Sequence, residues 1–458
     1  MNTLSERLSE FACGLRLQDM SSEVVDKVKE CLLDFLGVAV AGSGCPAAGI
    51  LASRMLPSRS GACSVIRGDC GAEPEAAALI NGTCGHYLEL DDGHKASISH
   101  PGTVVFPAAL ALSQDTDCSG ERLIEAAVAG YDVVCRIGQA LQPSHQAKRG
   151  FHTTGTCGAI GAAVAAGKVM GLDPGRMTNA IGLACLQASG LLEVMNTGGM
   201  SKPFQAGKAA ASGVLSALLA SDGMEAPSTA LDGPKGFMNA MGDEWATSAV
   251  LDGIGKRFLI SETYFKFHAA CGLVHSSIDA LLALRDAHGF GLDGIERIEL
   301  RVQTYAAEVV GVHSNPGTPQ EMKFSLPMSA AVAVVFGDAS PTRYTAENLD
   351  SPEVRRAAHL MEVVADPSLD AYFPKQRSSV VTVHLKSGTV LQKRVDAARG
   401  HPENPATTGD LKAKFRVLAE GFMRGSSVEE VIRQVEDLEN LPSAGVVAAT
   451  AFERRTGR

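Results

Sequence analysis

Residues 86–102 read His86-Tyr87-Leu88-Glu89-Leu90-Asp91-Asp92-Gly93-His94-Lys95, then Ser99-His100-Pro101-Gly102. Three histidines and three carboxylates within fifteen residues supply both halves of acid/base chemistry: imidazoles that titrate near neutrality and carboxylates to orient or charge them. A competing reading is a polar loop whose carboxylates cap the apolar stretch 104–112. His-Pro-Gly adds little to a helix entry that Ser-Pro-Gly would not, which favours the acid/base reading. A third reading is a metal site, but the spacing matches no His-x-x-x-His or zinc motif.

Three further segments carry groups of the same kind. Lys148-Arg149-Gly150-Phe151-His152-Thr153-Thr154-Gly155 sets a histidine and hydroxyls beside two cations at a helix start, whose free amides and dipole attract carboxylates. Its glycines Gly155, Gly158 and Gly161 are spaced by threes and follow no strand, so they support a dinucleotide fold weakly at best; close helix packing explains them equally well. Next, Gly198-Gly199-Met200-Ser201-Lys202-Pro203-Phe204-Gln205-Ala206-Gly207-Lys208 places Lys202 on what reads as a constrained turn. Finally, Lys266 stands inside the aromatic run Tyr264-Phe265-Lys266-Phe267-His268, where partial burial lowers a lysine pKa or sharpens its field toward an anion. Cys271 and His275 follow, the latter at a helix start where a core histidine is as ordinary as a functional one.

The elements that must position these groups follow from apolar spacing. In 21–42, Val24, Val28, Cys31, Leu32 and Phe35 recur at helical intervals. Alanine-rich helical stretches follow at 75–91, 120–140, 154–170, 177–192 and 208–222. After about residue 265 the pattern changes: Ile298, Leu300 and Val302 alternate with charged residues, and 381–395 alternates around the turn pair Ser387-Gly388. Helical candidates at 276–288, 325–337 and 351–364 lie between, and the tail from residue 409 is helical again. The expected architecture is mainly α with an inserted α+β domain: residues 1–265 and 405–458 form an all-helical domain, and 266–404 an α+β lid.

Composition bounds the function. The 458 residues carry 41 lysines and arginines against 51 acids, a net charge of −10, which argues against nucleic acid or anionic membrane as a partner. Eleven cysteines, from Cys13 to Cys271 and including Cys70, contain no C-x-x-C pair. Residues 1–10 are polar and no apolar run approaches a membrane span; a cytoplasmic protein is expected.

Taken in order, the four segments resemble the MmgE/PrpD family. The family pattern of D-D before H-P-G, then G-F-H-x-T-G, then T-K-P-x-x-x-G, then a lysine nine residues before a histidine is met by Asp91, Asp92 and His100, by Gly150 to Gly155, by Lys202 to Gly207, and by Lys266 and His275. Lys323-Phe324-Ser325-Leu326-Pro327 and Gly400-His401-Pro402-Glu403-Asn404-Pro405 add to it. The resemblance implies a homodimer of two-domain subunits with a cofactor-free, metal-free site at the domain junction. It implies a small polycarboxylate as substrate, His100, His152, Lys202 and Lys266 as catalytic residues, and Asp92, Gln205, Cys271 and His275 as substrate-binding positions.

Family activities include 2-methylcitrate dehydratase, cis-aconitate decarboxylase and iminodisuccinate epimerase. The decarboxylases, as aligned, have aspartate, threonine and two histidines where this chain has Glu89, Gly93, Gln205 and Cys271, which argues against decarboxylation. Overall likeness favours epimerisation of iminodisuccinate, with a dehydratase-type lyase as the alternative and a non-catalytic helical dimer as the remaining different-class reading. Both enzyme reactions can begin by removing a proton α to a carboxylate. A base contributes only about 100- to 10,000-fold, so fixed donors must also stabilise the developing charge. That is the role expected of Lys202 and Lys266, with His100 and His152 exchanging protons.

Overall fold

The structure is a computed structural model describing residues 2–56, 61–66, 71–197, 199–312 and 315–453. Gly198 and Cys70, named above, and residues 1 and 454–458 at the ends of the helical domain lie outside the described residues. The fold is mainly helical with a smaller α+β part. None of the described cysteines is in a disulfide, and no single described helix is long and apolar enough to cross a membrane.

The helical part is assembled around Thr153–Met170, which packs against Gly102–Thr116, Gly120–Leu141, Pro174–Gln187 and Ser201–Ser221. Small residues permit this closeness. A Cβ at Gly161 would fall 2.2 Å from Val134 Cγ2, and one at Gly207 would fall 2.1 Å from the Leu79 carbonyl oxygen. The glycine spacing after His152 therefore serves helix packing. The tail returns to this core: Thr408–Ala419 lies along Ser22–Ala41, burying Leu411 and Phe415.

A second apolar core underlies a four-stranded sheet ordered Met361–Ala365, Ile295–Val302, Ser379–Leu385, Val390–Val395. The first pair is parallel, with Ile298 opposite Met361 and Val302 opposite Ala365; the others are antiparallel. His275–His288 packs on the last two strands, and Leu326–Phe336 on Pro352–His359 and Met361–Ala365.

Four boundaries differ from expectation, the helix expected over 177–192 ending already at Gln187. The helix expected over 351–364 ends at His359, and Met361–Ala365 becomes a strand, because β-branched Val363 and Val364 find a parallel partner in Ile295–Val302. Lys202 sits in the first turn of Ser201–Ser221, not on a separate turn; Pro203 is tolerated there because first-turn amides have no intrahelical acceptor. The helix expected over 75–91 stops at Tyr87. Glu89 then takes a left-handed conformation, φ 55°, which frees Glu89 and Asp91 from the helix.

Candidate active site

The end of helix Pro74–Tyr87 supplies the first groups. His86 is fully buried and its Nδ1 lies 2.7 Å from Asp91 Oδ2, while its Nε2 lies 2.9 Å from Lys202 Nζ. An ammonium can only donate, so Nε2 accepts from Lys202 and Nδ1–H donates to Asp91. Lys202 also pairs with Glu89, whose other carboxylate oxygen is 3.6 Å from Lys266 Nζ. Lys266 Nζ donates to the Glu89 carbonyl oxygen at 3.1 Å.

Burial alone would raise both carboxyls, but nearby cations prevail. Lys202 and Lys266 hold Glu89 well below the usual carboxylate range, and the hydrogen bond from His86 together with the Lys266 charge does the same for Asp91. Burial opposes charge on Lys266, yet Glu89 and Asp91 outweigh it and raise its pKa, so it is a cation. The two lysines thus face two carboxylates. Their charge is already balanced within the protein.

Two imidazoles flank His86, with ring centroids 5.0 Å (His100) and 5.7 Å (His152) from it. His100 Nδ1 donates to the Asp92 carbonyl oxygen at 2.6 Å, which leaves the lone pair on Nε2. Burial, with Lys266 adding to it, pushes its pKa down to about 3. His152 precedes helix Thr153–Met170; its Nδ1 is buried without a hydrogen-bond partner, and burial with the Lys202 charge holds it well below the ordinary histidine value. Both are neutral bases in the free protein.

Of these side chains, Glu89, His100, His152, Lys202 and Lys266 share a cavity of about 560 Å³. Glu89, His100, His152 and Lys202 line it from the helical side; Tyr305, Phe324 and Arg377 line it from the sheet side. The segments are held in register by the two-residue pairing Gly93–His94 with Thr263–Tyr264, and by Lys414. That lysine donates to the carbonyl oxygens of Leu90 (2.9 Å) and Lys266 (2.7 Å) while paired with buried Asp34 at 2.6 Å.

The position of this cavity, where the two parts of the chain meet, coincides with a division in sequence likeness. Residues 6–248 match the MmgE/PrpD N-terminal domain and residues 268–440 the MmgE/PrpD C-terminal domain. The chain belongs to the MmgE/PrpD family. It is 28% identical over 460 residues to a cis-aconitate decarboxylase of Aspergillus terreus, covering 96% of this chain and 94% of the relative. The cis-aconitate decarboxylases of Mus musculus (26% over 463 residues) and Homo sapiens (25% over 461 residues) each cover 98% of this chain, and 93% and 94% of their own lengths.

Of the residues implied by the MmgE/PrpD resemblance, His100, His152, Lys202, Lys266 and Cys271 line the one cavity. Asp92, Gln205 and His275 are not among its lining residues. Asp92 lies beneath it, accepting from Tyr131 Oη at 2.6 Å and from the Gly102 amide at 3.0 Å, with burial pushing its carboxyl up to about 7. It fastens the His100 loop to helix Gly120–Leu141. The Gln205 amide closes on the Leu191 backbone, accepting from its N–H at 2.8 Å and donating to its carbonyl at 3.0 Å. His275 is buried against His268, rings 5.1 Å apart, with Nε2 3.1 Å from the Ala270 carbonyl oxygen.

His86, Asp91 and His100 bring one ligand atom each within 4.8 Å of one another. His86 Nδ1 is engaged with Asp91 Oδ2 and His100 Nδ1 with the Asp92 carbonyl oxygen, while Asp91 Oδ1 is buried without a hydrogen-bond partner. Sequence reasoning missed the pairing of Glu89 with both lysines, which no local pattern announces. It also assigned no role to Lys323. Its Nζ, buried and with a pKa lowered by burial to about 8, donates to the Tyr87 carbonyl oxygen at 3.1 Å and caps the end of helix Pro74–Tyr87. The Lys323-Phe-Ser-Leu-Pro run was the available signal.

Proposed function

We propose that the cavity takes a small polycarboxylate and exchanges a proton at a carbon α to one of its carboxylates, needing no cofactor, and that the reaction is epimerisation of iminodisuccinate stereoisomers. The observation that supports it is the sharing of one cavity by two neutral imidazoles, His100 and His152, and two ammonium groups, Lys202 and Lys266. Epimerisation requires proton delivery and removal at a single stereocentre, and two imidazoles provide for both.

In this reading His100 Nε2 or His152 removes the α proton, and the spare donors of Lys202 and Lys266 stabilise negative charge as it grows on the adjacent carboxylate. The free protein holds both imidazoles neutral. A guest bearing several negative charges shifts them upward, so that one carries a proton and delivers it to the carbon. Decarboxylation, the reaction in the relatives' names, is less well served: Cys271 presents a thiol to the cavity and Gln205 is spent on Leu191. A hydro-lyase reading is favoured by the kinship with lyases over nearly the whole chain, and it uses the same proton abstraction followed by loss of a hydroxyl.

Proton NMR in deuterium oxide tests this. With iminodisuccinate stereoisomers, deuterium is expected at the α carbon together with the opposite configuration and no alkene signal. An alkene formed from methylcitrate, with no exchange into iminodisuccinate, overturns the epimerase in favour of the hydro-lyase.

A further inference from the structure

We infer that Arg377 anchors a substrate carboxylate remote from the reacting carbon, and so selects guests with at least one carboxylate more than the chemistry itself requires. The inference rests on the polycarboxylate reading above and names the group that recognises the extra charge.

Arg377 is only 7% exposed, yet it lines the cavity. Its Nε is buried without a hydrogen-bond partner, and Nη1 donates to Tyr264 Oη at 3.3 Å, with the guanidinium 5.2 Å from the centre of the same ring. No carboxylate among the described residues pairs with it. A guanidinium stays charged at any working pH, and burying it without an anion is strongly unfavourable. Of its neighbours, buried His401 is held well below the ordinary histidine value by burial and by the Arg377 charge, and so stays neutral, while Lys95 is paired with Glu403 at 2.7 Å.

The site keeps this arrangement in place. A Cβ at Gly272, also on the cavity wall, would fall 2.6 Å from Arg377 Nη1, so the bare backbone there makes room for the guanidinium. The charge balance elsewhere in the cavity sharpens the argument. Lys202 and Lys266 already pair with Glu89, whereas Arg377 has no carboxylate partner among the described residues, although Glu193 and Glu308 also line the cavity. Its planar fork matches a carboxylate with two parallel hydrogen bonds. Because it enters from the sheet side and Lys202 from the helical side, a guest with a carboxylate at each end spans the two.

Calorimetry on the full-length protein with tricarballylate and methylsuccinate, which differ by one terminal carboxylate, tests the assignment. The wild type is expected to bind tricarballylate roughly 10- to 100-fold more tightly. Arg377→Met is expected to shrink that ratio to about threefold or less, while its ligand-free Tm holds or rises, since an unpaired buried charge has been removed; Arg377→Lys should restore part of the ratio. A merely structural arginine would lower Tm and leave the ratio alone. A wild-type ratio retained in Arg377→Met, with Lys202→Met weakening both acids alike, overturns the subsite and leaves the polycarboxylate reading standing. Failure of the wild type to bind either acid overturns both.

Discussion

Replacing His152 by alanine is expected to lower kcat by about 100- to 10,000-fold, with KM changed far less, because the group removed acts on the proton in flight and not on the guest's charges. His152 suits such a test. Its Nδ1 has no protein partner, so its loss leaves no buried donor or acceptor newly orphaned, and unchanged thermal unfolding will separate chemistry from folding. His100→Ala is expected to cost a similar factor, with some loss of stability because the Asp92 carbonyl oxygen loses its donor. The pH profile adds a signature. The free enzyme's base titrates at about 3 if it is His100, so kcat/KM of the wild type should not fall between pH 7 and pH 5.5 as an ordinary histidine base would make it. Steady-state rates of the wild type and both variants across that range check the expectation.

The second large effect belongs to Lys202. Lys202→Met removes a cation from buried Glu89 and a donor from His86 at once. Loss of one partner of a buried pair typically destabilises by about 3–5 kcal/mol, and loss of a donor to developing charge lowers kcat by about 100- to 1,000-fold. The two consequences can be separated. Adding Glu89→Gln should recover much of the stability, since the uncompensated charge is gone, but none of the rate. The stability loss should also depend on pH in a definite direction. Glu89 titrates in the folded wild type below its unfolded value of 4.5, so its contribution is present above about pH 4.5 and is lost as pH falls toward the folded value. In Lys202→Met that contribution shrinks, and the gap between wild type and variant should therefore close as pH drops below about 4.5. Urea denaturation at several pH values reads it directly.

Much of the helical architecture was legible because apolar residues recur along it at helical spacing, as in Ser22–Ala41 and Gly120–Leu141. The hairpin around Ser387-Gly388 was legible from alternation and its turn pair. What sequence could not show was set by distant contacts. Leu88 and Leu90 continue the apolar spacing of helix Pro74–Tyr87, yet they enter the second core, and the chain leaves the helix at Glu89 to meet Lys202 and Lys266, more than a hundred residues away. Likewise Met361–Ala365 fits a helix locally and becomes a strand only because Ile295–Val302 offers a partner. At the site, residue types and order pointed to the histidines and lysines. That the lysines are already neutralised by Glu89 and Asp91, and that unpaired positive charge resides on Arg377, follows from geometry with no motif to announce it.

The central claim is that groups from four separated stretches of chain enclose one polyanionic guest. The most direct measurement is a crystal structure of the protein with tricarballylate. The expected result is the acid inside the cavity of about 560 Å³, one carboxylate within hydrogen-bond reach of Lys202 or Lys266 and a carbon beside it facing His100 or His152. Tricarballylate bound at another surface, or in the cavity but touching none of these four side chains, would contradict the account.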